Sequence, residues 1–256
     1  MEKHRREAIK RLSEDIFRSR KTIALTGAGI SVESGIPDFR SAGGLWSRYD
    51  PEEYAHIDGF RRDPVKIWNM LREIIDVIEA ARPNPAHQAL AQLEAMGYLS
   101  SVITQNVDGL HQAAGSRHVI EFHGSNRFLI CLTCGFRGET AAFDTRNEAP
   151  TCPKCGSVLK PDVVFFGEPI PADAMREAFE EARKADLVLV VGTSAVVFPA
   201  SDIPSLAREH GAKVVEVNLE ETPLTGVVSD YILKGPAGEI LPEVLTGVRN
   251  LAGGQK

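Results

Sequence analysis

The chain has 256 residues, of which 43% are hydrophobic and 22 are glycine, and its formal net charge is −6. This is enough for one large domain with a buried core and a small second module. The negative charge gives no general attraction for nucleic acid or an anionic membrane. No run of about 18 apolar residues indicates a membrane span, and the first residues lack the apolar stretch of a signal peptide. We therefore expect a cytoplasmic protein with no membrane partner and no specific nucleic-acid partner.

Apolar residues recur at helical spacing near the start of the chain and predict an amphipathic helix. The basic residues His4, Arg5, Arg6, Lys10 and Arg11 are better explained as its solvated face than as a polyanion site. Further along, β-branched runs alternate with helical patterns, which predicts an α/β fold with a doubly wound parallel, Rossmann-like sheet. The predicted strands cover 22–26, 101–104, 119–122, 187–191 and 213–217, and further helices cover 86–96, 172–184 and 201–209.

The strand predicted at 22–26 runs directly into the sequence TGAGISVESGIPDFR. The Gly-Ala-Gly turn at 27–29 lets backbone N–H groups approach a pyrophosphate. The dinucleotide fingerprint would place a third glycine where this chain has Val32, and Gly35 and Pro37 interrupt the helix that should follow. From these residues alone, the interruption is most simply a surface turn with Phe39 in the core.

Small or polar residues follow four of the predicted strands: GAGIS, QNVD, GTS and NLEE. Open α/β sheets bind ligands outside the carboxyl ends of their strands. The hydroxyls of Thr193 and Ser194 suit phosphate or ribose, and Asn218 suits a ribose. Each group alone is equally well explained as a turn or a helix N-cap. Their convergence favours a nucleotide site.

Hydride transfer by an ordinary dehydrogenase is disfavoured. Such an enzyme needs an acidic residue at the end of its second strand, about 20 residues beyond the glycines. Asp50 lies near that distance, but its segment RYDPEEY has no strand pattern.

All four cysteines lie in two C-x-x-C pairs, and 17 residues separate the pairs. This spacing is typical of a tetrahedral zinc site, and four thiolates leave no ligand position for water or substrate. We therefore predict structural zinc, in preference to two disulfides or a redox-active pair. The few basic residues between the pairs are balanced by acidic ones, which favours a scaffold over a nucleic-acid module. The predicted ligands are Cys131, Cys134, Cys152 and Cys155.

These motifs together resemble a known family. GAGIS with GIPDFR, TQNVDGLH, the HG of EFHG, the paired C-x-x-C, FFGE, GTS and the VN before Leu219 occur in the order found in sirtuins of the prokaryotic type. Sirtuins are NAD-dependent protein lysine deacylases, and the resemblance covers about residues 21–238. It implies that NAD is a co-substrate and that the partner is an acyl-lysine peptide or protein.

The resemblance makes 36–40 a mobile cofactor loop in which Phe39 shields the reactive ribose and Arg40 pairs with phosphate. Asn106 and Asp108 would bind the nicotinamide end, although either would serve equally well as a helix cap near Leu110. The implied NAD-binding residues are Gly27, Ala28, Gly29, Ser31, Ile36, Asp38, Phe39, Arg40, Gln105, Asn106, Val107, Asp108, Gly192, Thr193, Ser194, Asn218, Leu219, Glu220 and Ala237.

His123 is the implied general base, and Asn106 is the second implied catalytic residue. A lone histidine is more commonly structural, but its place in EFHG beside a permissive glycine, together with the family match, reverses that preference. In the implied reaction the acyl-amide oxygen attacks the nicotinamide ribose and displaces nicotinamide. His123 then deprotonates a ribose hydroxyl, which attacks the carbon of the alkylimidate left by that displacement, and water finally releases lysine and O-acyl-ADP-ribose. The histidines at 87, 111 and 118 are interpreted as structural.

The segment VVFFGE resembles the family strand that pairs with the substrate backbone, where the Val164 carbonyl accepts from the acyl-lysine N–H. On its own, the run is equally a core strand that ends in a turn. The implied substrate-binding residues are Val164, Phe165, Phe166, Gly167, Glu168 and Val197. Another NAD-using transferase and a nucleotide-binding zinc scaffold remain alternative functions.

The predicted domain division is discontinuous. Residues 1–40, 86–124 and 161–256 would form the Rossmann-like NAD-binding domain, 41–85 the helical part of a small domain, and 125–160 the four-cysteine zinc module. Family members that remove succinyl groups carry Tyr and Arg where this chain aligns Leu71 and Ile74. Two apolar residues there predict a preference for acetyl and longer apolar acyl groups.

Overall fold

The computed structural model describes residues 2–39 and 44–254. Its helices are α1 Glu2–Arg18, α2 Pro51–Tyr54, α3 Ile57–Arg62, α4 Pro64–Ala80, α5 Pro85–Ala95, α6 Leu110–Ala113, α7 Ala172–Lys184, α8 Asp202–Glu209 and α9 Ala237–Gly253. Its strands are β1 Thr22–Thr26, β2 Ser101–Thr104, β3 Val119–Glu121, β4 Gly124–Ile130, β5 Arg137–Glu139, β6 Lys160–Val163, β7 Leu187–Val191, β8 Lys213–Asn218 and β9 Tyr231–Lys234. Short 3₁₀ helices cover Ala28–Ser34, Leu45–Ser47 and Thr140–Ala142.

Six strands within these described ranges form a parallel sheet in the order β3-β2-β1-β7-β8-β9. Every residue of β1, β2 and β7 is buried, as expected for apolar strands covered on both faces. One face packs against α1, α5 and α9, and the other packs against α7 and α8. The predicted parallel α/β fold is therefore confirmed.

A second, antiparallel sheet has the order β5-β4-β6. Its apolar side chains share one core with α3 and α4. Trp68 of α4 is fully buried in this core, and its Nε1 donates to the Leu159 carbonyl at 2.8 Å. The predicted helical part at 41–85 and the cysteine segment thus pack on each other. Strand β6 begins at Lys160, the last residue of the predicted zinc module, and pairs with β4 of the same sheet. The domain limits stated from the sequence stay a prediction.

The strand β4 connects the two sheets, because it starts directly after His123 and ends directly before Cys131. Its seven residues span about 20 Å at roughly 3.3 Å per residue. Across the described ranges, no helix combines the length and the apolar character that a bilayer crossing requires.

Candidate active site

The loops that follow β1 and β7 touch each other at the carboxyl edge of the parallel sheet. The Gly29 N–H donates to the Gly192 carbonyl at 2.8 Å, and the Gly27 N–H donates to Val191 at 3.1 Å. A Cβ atom on Gly29 would lie 2.8 Å from the Gly192 oxygen, and one on Gly192 would lie 2.3 Å from the Ile30 nitrogen. Glycine is required here because the two backbones approach too closely for side chains.

Behind this turn, a polar network joins the loops after β1 and β2. The buried Ser31 hydroxyl donates to Asp108 Oδ2 at 2.7 Å and accepts from Asn106 Nδ2 at 3.1 Å. The Asn106 amide also donates to the Gly27 carbonyl at 3.1 Å. The other carboxylate oxygen of Asp108, which lies just before the N-cap residue Gly109, accepts from the first N–H of α6, that of Leu110, at 2.9 Å. Three predicted NAD-binding residues thus form one connected cluster.

A second network extends along the same edge towards β8. Gln105 Nε2 donates to the Thr193 hydroxyl at 3.0 Å, and Asn218 Nδ2 donates to the Thr193 carbonyl at 2.9 Å. Thr193 is buried, and its hydroxyl accepts from the Ala195 N–H at 3.2 Å. The four strand ends highlighted by the sequence therefore converge on one continuous polar edge.

His123 lies at the end of β3 and beside the start of β4. Its Nδ1 is 3.2 Å from the Gln105 carbonyl oxygen. A carbonyl can only accept, so Nδ1 carries the proton, and the neutral ring keeps the lone pair on Nε2. Burial lowers the pKa of His123 below its ordinary value, although the bond to the Gln105 carbonyl acts in the opposite direction. The ring is therefore neutral near pH 7, the form that can accept a proton.

The glycine after this histidine permits the close approach of β6. Gly124 has φ +79°, and a Cβ atom there would lie 2.2 Å from the Asp162 carbonyl oxygen. The Val164 N–H in turn donates to the His123 carbonyl at 2.8 Å. The catalytic candidate and the predicted substrate segment are thus bonded neighbours.

Two buried histidines lie beneath the first network. His87 Nε2 is 3.5 Å from the Ser31 hydroxyl, and its Nδ1 accepts from the Asn84 N–H in the capping box of α5. His111 Nε2 is 2.9 Å from the Thr26 hydroxyl. Burial lowers the pKa of His87 to about 4 and that of His111 to about 3. His87 thus takes part in the cap of α5 and His111 contacts β1, which agrees with interpreting both as structural, but the sequence interpretation did not foresee that His87 would reach Ser31.

The described part of the predicted cofactor loop is held by aromatic and backbone contacts. Phe39 is 40% exposed, and its ring stacks at 5.2 Å on Trp46, a residue that the motif did not identify. The Leu45 N–H donates to the Asp38 carbonyl at 2.9 Å, and the Ile36 N–H donates to Ser31 at 3.3 Å. The Arg40 prediction lies outside the described residues.

Other predicted residues lie along the same edge without joining the two networks. Val107 and Val197 are partly exposed, and Ser194, Leu219 and Glu220 are exposed. Ala237 is buried at the start of α9, where the Gly238 N–H donates to Glu33 Oε2 at 2.7 Å. That carboxylate neutralises exposed N–H groups of the helix terminus, a contact absent from the sequence predictions. Ala28 lies in the 3₁₀ turn after Gly27.

The four cysteine sulfurs form a compact cluster at the far end of β4. Cys131 and Cys155 Sγ are 3.5 Å apart, Cys134 and Cys152 Sγ are 3.6 Å apart, and all four lie within 4.8 Å of one another. A tetrahedral zinc with bonds of about 2.3 Å requires sulfurs about 3.8 Å apart, so the residues fit that ion. The Sγ–Sγ distances of 3.5 and 3.6 Å are well above the length of about 2.05 Å of a disulfide bond, so the arrangement favours a metal over two disulfides.

The two metal-binding turns have the same backbone pattern. Gly135 donates to the Cys131 carbonyl at 3.0 Å, and Gly156 donates to the Cys152 carbonyl at 2.9 Å. Both glycines have positive φ, at 70° and 76°, which side chains rarely adopt. A glycine directly after the second cysteine of each pair therefore lets the turn close without backbone strain.

A parallel sheet with a glycine turn at its carboxyl edge defines a class of nucleotide-binding α/β proteins. Within that class, a family model described as the Sir2 family matches residues 27–199. The NAD-dependent protein deacylase of Thermococcus kodakarensis is 50% identical over 242 residues, 92% of this chain and 94% of that protein. NAD-dependent protein deacylase 2 of Pyrobaculum aerophilum is 51% identical over 233 residues, 90% of this chain and 92% of that protein. The chain belongs to the Sir2 family.

Solved structures give the same result. A structure described as the basis for the mechanism and regulation of Sir2 enzymes superposes with TM-score 0.91 at 47% identity, over 96% of this chain and 99% of that chain. A Sir2 homologue in complex with NAD superposes with a TM-score of 0.89 and is 46% identical, and the match covers 94% of both chains. Sir2Af2 bound to a myristoylated histone peptide superposes with a TM-score of 0.83 and is 41% identical, and the match covers 97% of this chain and 99% of that chain. The recognition of the sequence as a sirtuin is confirmed.

Proposed function

We propose that the polar edge of the parallel sheet binds NAD and that His123 acts there as the general base of a protein lysine deacylase. The chain is an NAD-dependent protein deacylase of the Sir2 family, and its partner is an acyl-lysine peptide. The observation that carries the assignment is the position of His123. It is neutral, its Nδ1 bonds the backbone of Gln105, and its own carbonyl bonds the segment assigned to the peptide.

Each side chain of the polar edge then has a specific task. The Gly27 and Gly29 N–H groups hold the turn against the backbone at 191–192, and the Ala28 N–H at the start of the 3₁₀ helix is the donor that we assign to a phosphate oxygen. Asn106 and Asp108 orient the nicotinamide end, and Ser31 fixes both of them by hydrogen bonds at 3.1 and 2.7 Å. Thr193 and Asn218 bind the adenosine half, and Gln105 binds ribose hydroxyls.

Bound NAD supplies an electrophilic ribose carbon and nicotinamide as the leaving group. His123 Nε2 takes the proton of a ribose hydroxyl, and the bond from Nδ1 to Gln105 stabilises the charged ring that results. Phe39, held against Trp46, covers the reacting centre and excludes water. The Val164 carbonyl orients the acyl-lysine through its N–H.

Zinc belongs to the framework and takes no part in the reaction. Four thiolates complete its ligand shell, and β4 separates it from His123 by about 20 Å. A zinc site of this kind needs four reduced cysteines, which a reducing compartment maintains, so we propose a cytoplasmic location.

Incubation of the purified protein with NAD and an acetyl-lysine peptide tests the proposal. Release of nicotinamide that depends on the peptide, together with O-acetyl-ADP-ribose as product, is expected. Transfer of labelled ADP-ribose to protein would favour another NAD-using transferase. Binding of NAD without turnover would favour a scaffold, and either result would contradict the deacylase assignment.

A further inference from the structure

Lys160 is a lysine that the catalytic account does not use, and it is almost completely buried. Its side chain is 1% exposed, although lysine is almost never buried without a partner. It stands at the first position of β6, three residues before the start of the segment 163–168 that we assign to the peptide. Burying an ammonium group is costly, so its contacts must offset that cost.

The ammonium group of Lys160 bonds the chain that follows it. Its Nζ donates to the Pro161 carbonyl at 3.0 Å and to the Val163 carbonyl at 2.5 Å. It also lies 2.9 Å from Glu168 Oε2 and 4.5 Å from the centre of the Phe165 ring. One cation therefore contacts both ends of the segment 163–168.

Glu168 transmits this contact to the middle of the segment. The carboxylate oxygen that pairs with Lys160 also accepts from the Phe165 N–H at 2.9 Å. The Phe165 carbonyl accepts from the Glu168 N–H at 3.0 Å, which closes a tight turn. The Phe165 ring is buried below the turn, at 5.9 Å from the ring of Phe60.

The outer groups of the segment are fixed by its neighbours. The Val164 N–H donates to His123, the Phe166 N–H donates to Ala55 at 2.8 Å, and the Phe166 carbonyl accepts from Ile57 at 2.9 Å. Among the described residues, no hydrogen bond reaches the Val164 carbonyl. This carbonyl is the group that the proposed function assigns to the acyl-lysine N–H.

We propose that Lys160 is a positioning residue for the peptide: with Glu168 it fixes the backbone of 163–168 so that the Val164 carbonyl is held ready for the acyl-lysine. This inference rests on the proposed function of that carbonyl. Because the Lys160 side chain is only 1% exposed, its ammonium group acts on bound peptide through the segment and not by direct contact. Its removal should therefore weaken peptide binding while NAD binding at the sheet edge persists.

The substitution Lys160→Met tests the inference, because it keeps much of the apolar stem and removes the three polar contacts. The affinities for an acetyl-lysine peptide and for NAD are measured separately by calorimetry, and amide exchange is measured at Val164 and Phe165. We expect peptide affinity to fall at least about tenfold, NAD affinity to change less than about twofold, and both amides to exchange faster. Lys160→Gln, which can still donate a hydrogen bond, should lower peptide affinity by about threefold or more and leave NAD affinity nearly unchanged. This variant provides the test if Lys160→Met does not fold.

Lys21→Met is the matched control. Lys21 also pairs with a glutamate, at 2.7 Å from Glu181, but this pair lies at the amino end of β1, away from the site. Its loss should lower stability and leave peptide affinity within about twofold. Wild-type peptide affinity in the Lys160 variants would overturn the inference, as would equal losses of peptide and NAD affinity. A wild-type protein that binds no acyl-lysine peptide would overturn the proposed function as well, whereas the amide exchange would still show whether Lys160 holds the segment.

Discussion

The four-cysteine cluster and the polar edge of the parallel sheet are built in opposite ways. The cluster takes its ligands from two short turns with matching backbone bonds, at the end of one antiparallel sheet. The polar edge takes its residues from loops after several different strands, which meet only because parallel strands end at the same side. The first site depends on local geometry and the second on the topology of the whole sheet.

This difference determines how each site should respond to substitution. Loss of one cysteine removes the ion that holds its module together, so the damage spreads through the core that Cys131 and Cys152 share with Phe165. Loss of a side chain at the polar edge leaves the sheet intact, because its two apolar faces form separate cores. The first change is expected to affect folding, and the second is expected to affect chemistry.

The largest expected effect is that of Cys131→Ser. Because a four-thiolate site contributes directly to folding, we expect loss of zinc and of several kcal/mol in the free energy of unfolding, together with most of the activity. NAD binding measured by itself should be less affected than peptide binding. Metal content by mass spectrometry and urea denaturation check these expectations.

Leu132→Ala is the control for this variant, since Leu132 lies between two ligands but is 42% exposed. It should retain zinc and nearly full stability. Purified wild-type protein that holds no metal and is fully active would contradict the structural role of zinc.

The substitution His123→Ala should lower kcat at least about a hundredfold, the lower end for general-base catalysis, and leave the unfolding transition nearly unchanged. Since burial lowers the pKa of His123, wild-type kcat should be constant around neutral pH and fall only below the ordinary histidine value near 6.5. Steady-state rates across this pH range check both points. The control His210→Ala, at the exposed end of α8, should keep the wild-type rate. A wild-type rate for His123→Ala would contradict the assignment of His123 as the general base.

The sequence predicted the strands of the parallel sheet better than the rest of the fold, for a physical reason. The fully buried strands β1 and β7 are continuous apolar runs, so their bounds at 22–26 and 187–191 were predicted correctly. Strands β5, β6 and β9 have mixed polarity, which gives no clear period, whereas β2, which is equally short, was predicted correctly at 101–104. Helix α9 went unpredicted because it contains Pro242, a residue that normally argues against a helix interior.

The candidate site shows the same division between local and distant information. Motifs and family resemblance were sufficient to select Ser31, Asn106 and Asp108, but their mutual hydrogen bonds join loops about 75 residues apart. The contact of Glu33 with the start of α9 spans 205 positions, so no spacing rule could have found it. Buried Lys160 was likewise missed, since a lysine in a sequence is by default an exposed residue.

The third expected effect concerns the acyl group. Leu71 and Ile74 pack against the core below the peptide segment. A shift of two residues in the alignment would bring Arg72 to the Ile74 position, but Arg72 donates from Nε to the Thr145 carbonyl at 3.1 Å and from Nη1 to Asn69 at 2.6 Å, so its guanidinium is already bonded within the small domain. A buried succinyl carboxylate without a cationic partner would suffer a desolvation penalty of several kcal/mol.

We therefore expect acetyl, butyryl and myristoyl versions of one peptide to be substrates and the succinyl version to be at least about tenfold slower in kcat/KM. Ile74→Arg should narrow that difference by offering a partner to the carboxylate. Arg48→Met, which removes an exposed ion pair with Glu73, is a control that should not alter acyl preference. A succinyl rate equal to the acetyl rate in the wild type would contradict the alignment of Leu71 and Ile74.

The smallest expected effect is the acid sensitivity of the sheet edge, which arises from its buried histidines. The pKa of His111 is lowered to about 3, first by burial and then by His87. A folded-state pKa below the unfolded value of about 6.5 means that the unfolded chain binds more protons in acid. The stability from His111 is therefore fully present above about pH 6.5 and is lost as pH falls towards 3, by about 1.4 kcal/mol per pH unit.

Replacement by glutamine isolates this contribution. The free energy of unfolding, measured by urea denaturation, should fall between pH 7 and pH 5 by about 2 kcal/mol less in His111→Gln than in the wild type. The glutamine can still bond the Thr26 hydroxyl. Protonation of the zinc thiolates affects both proteins equally, so the difference reports on the histidine. His118 provides the opposite sign: burial is the strongest single influence and acts to lower its pKa, but the hydrogen bonds to Glu177 and the Ser100 carbonyl and the charges of Glu177 and Glu181 together outweigh it and raise the pKa. His118→Gln should therefore increase acid sensitivity. A His111→Gln variant that is as acid-sensitive as the wild type would contradict the claim that the buried, neutral His111 makes the fold sensitive to acid.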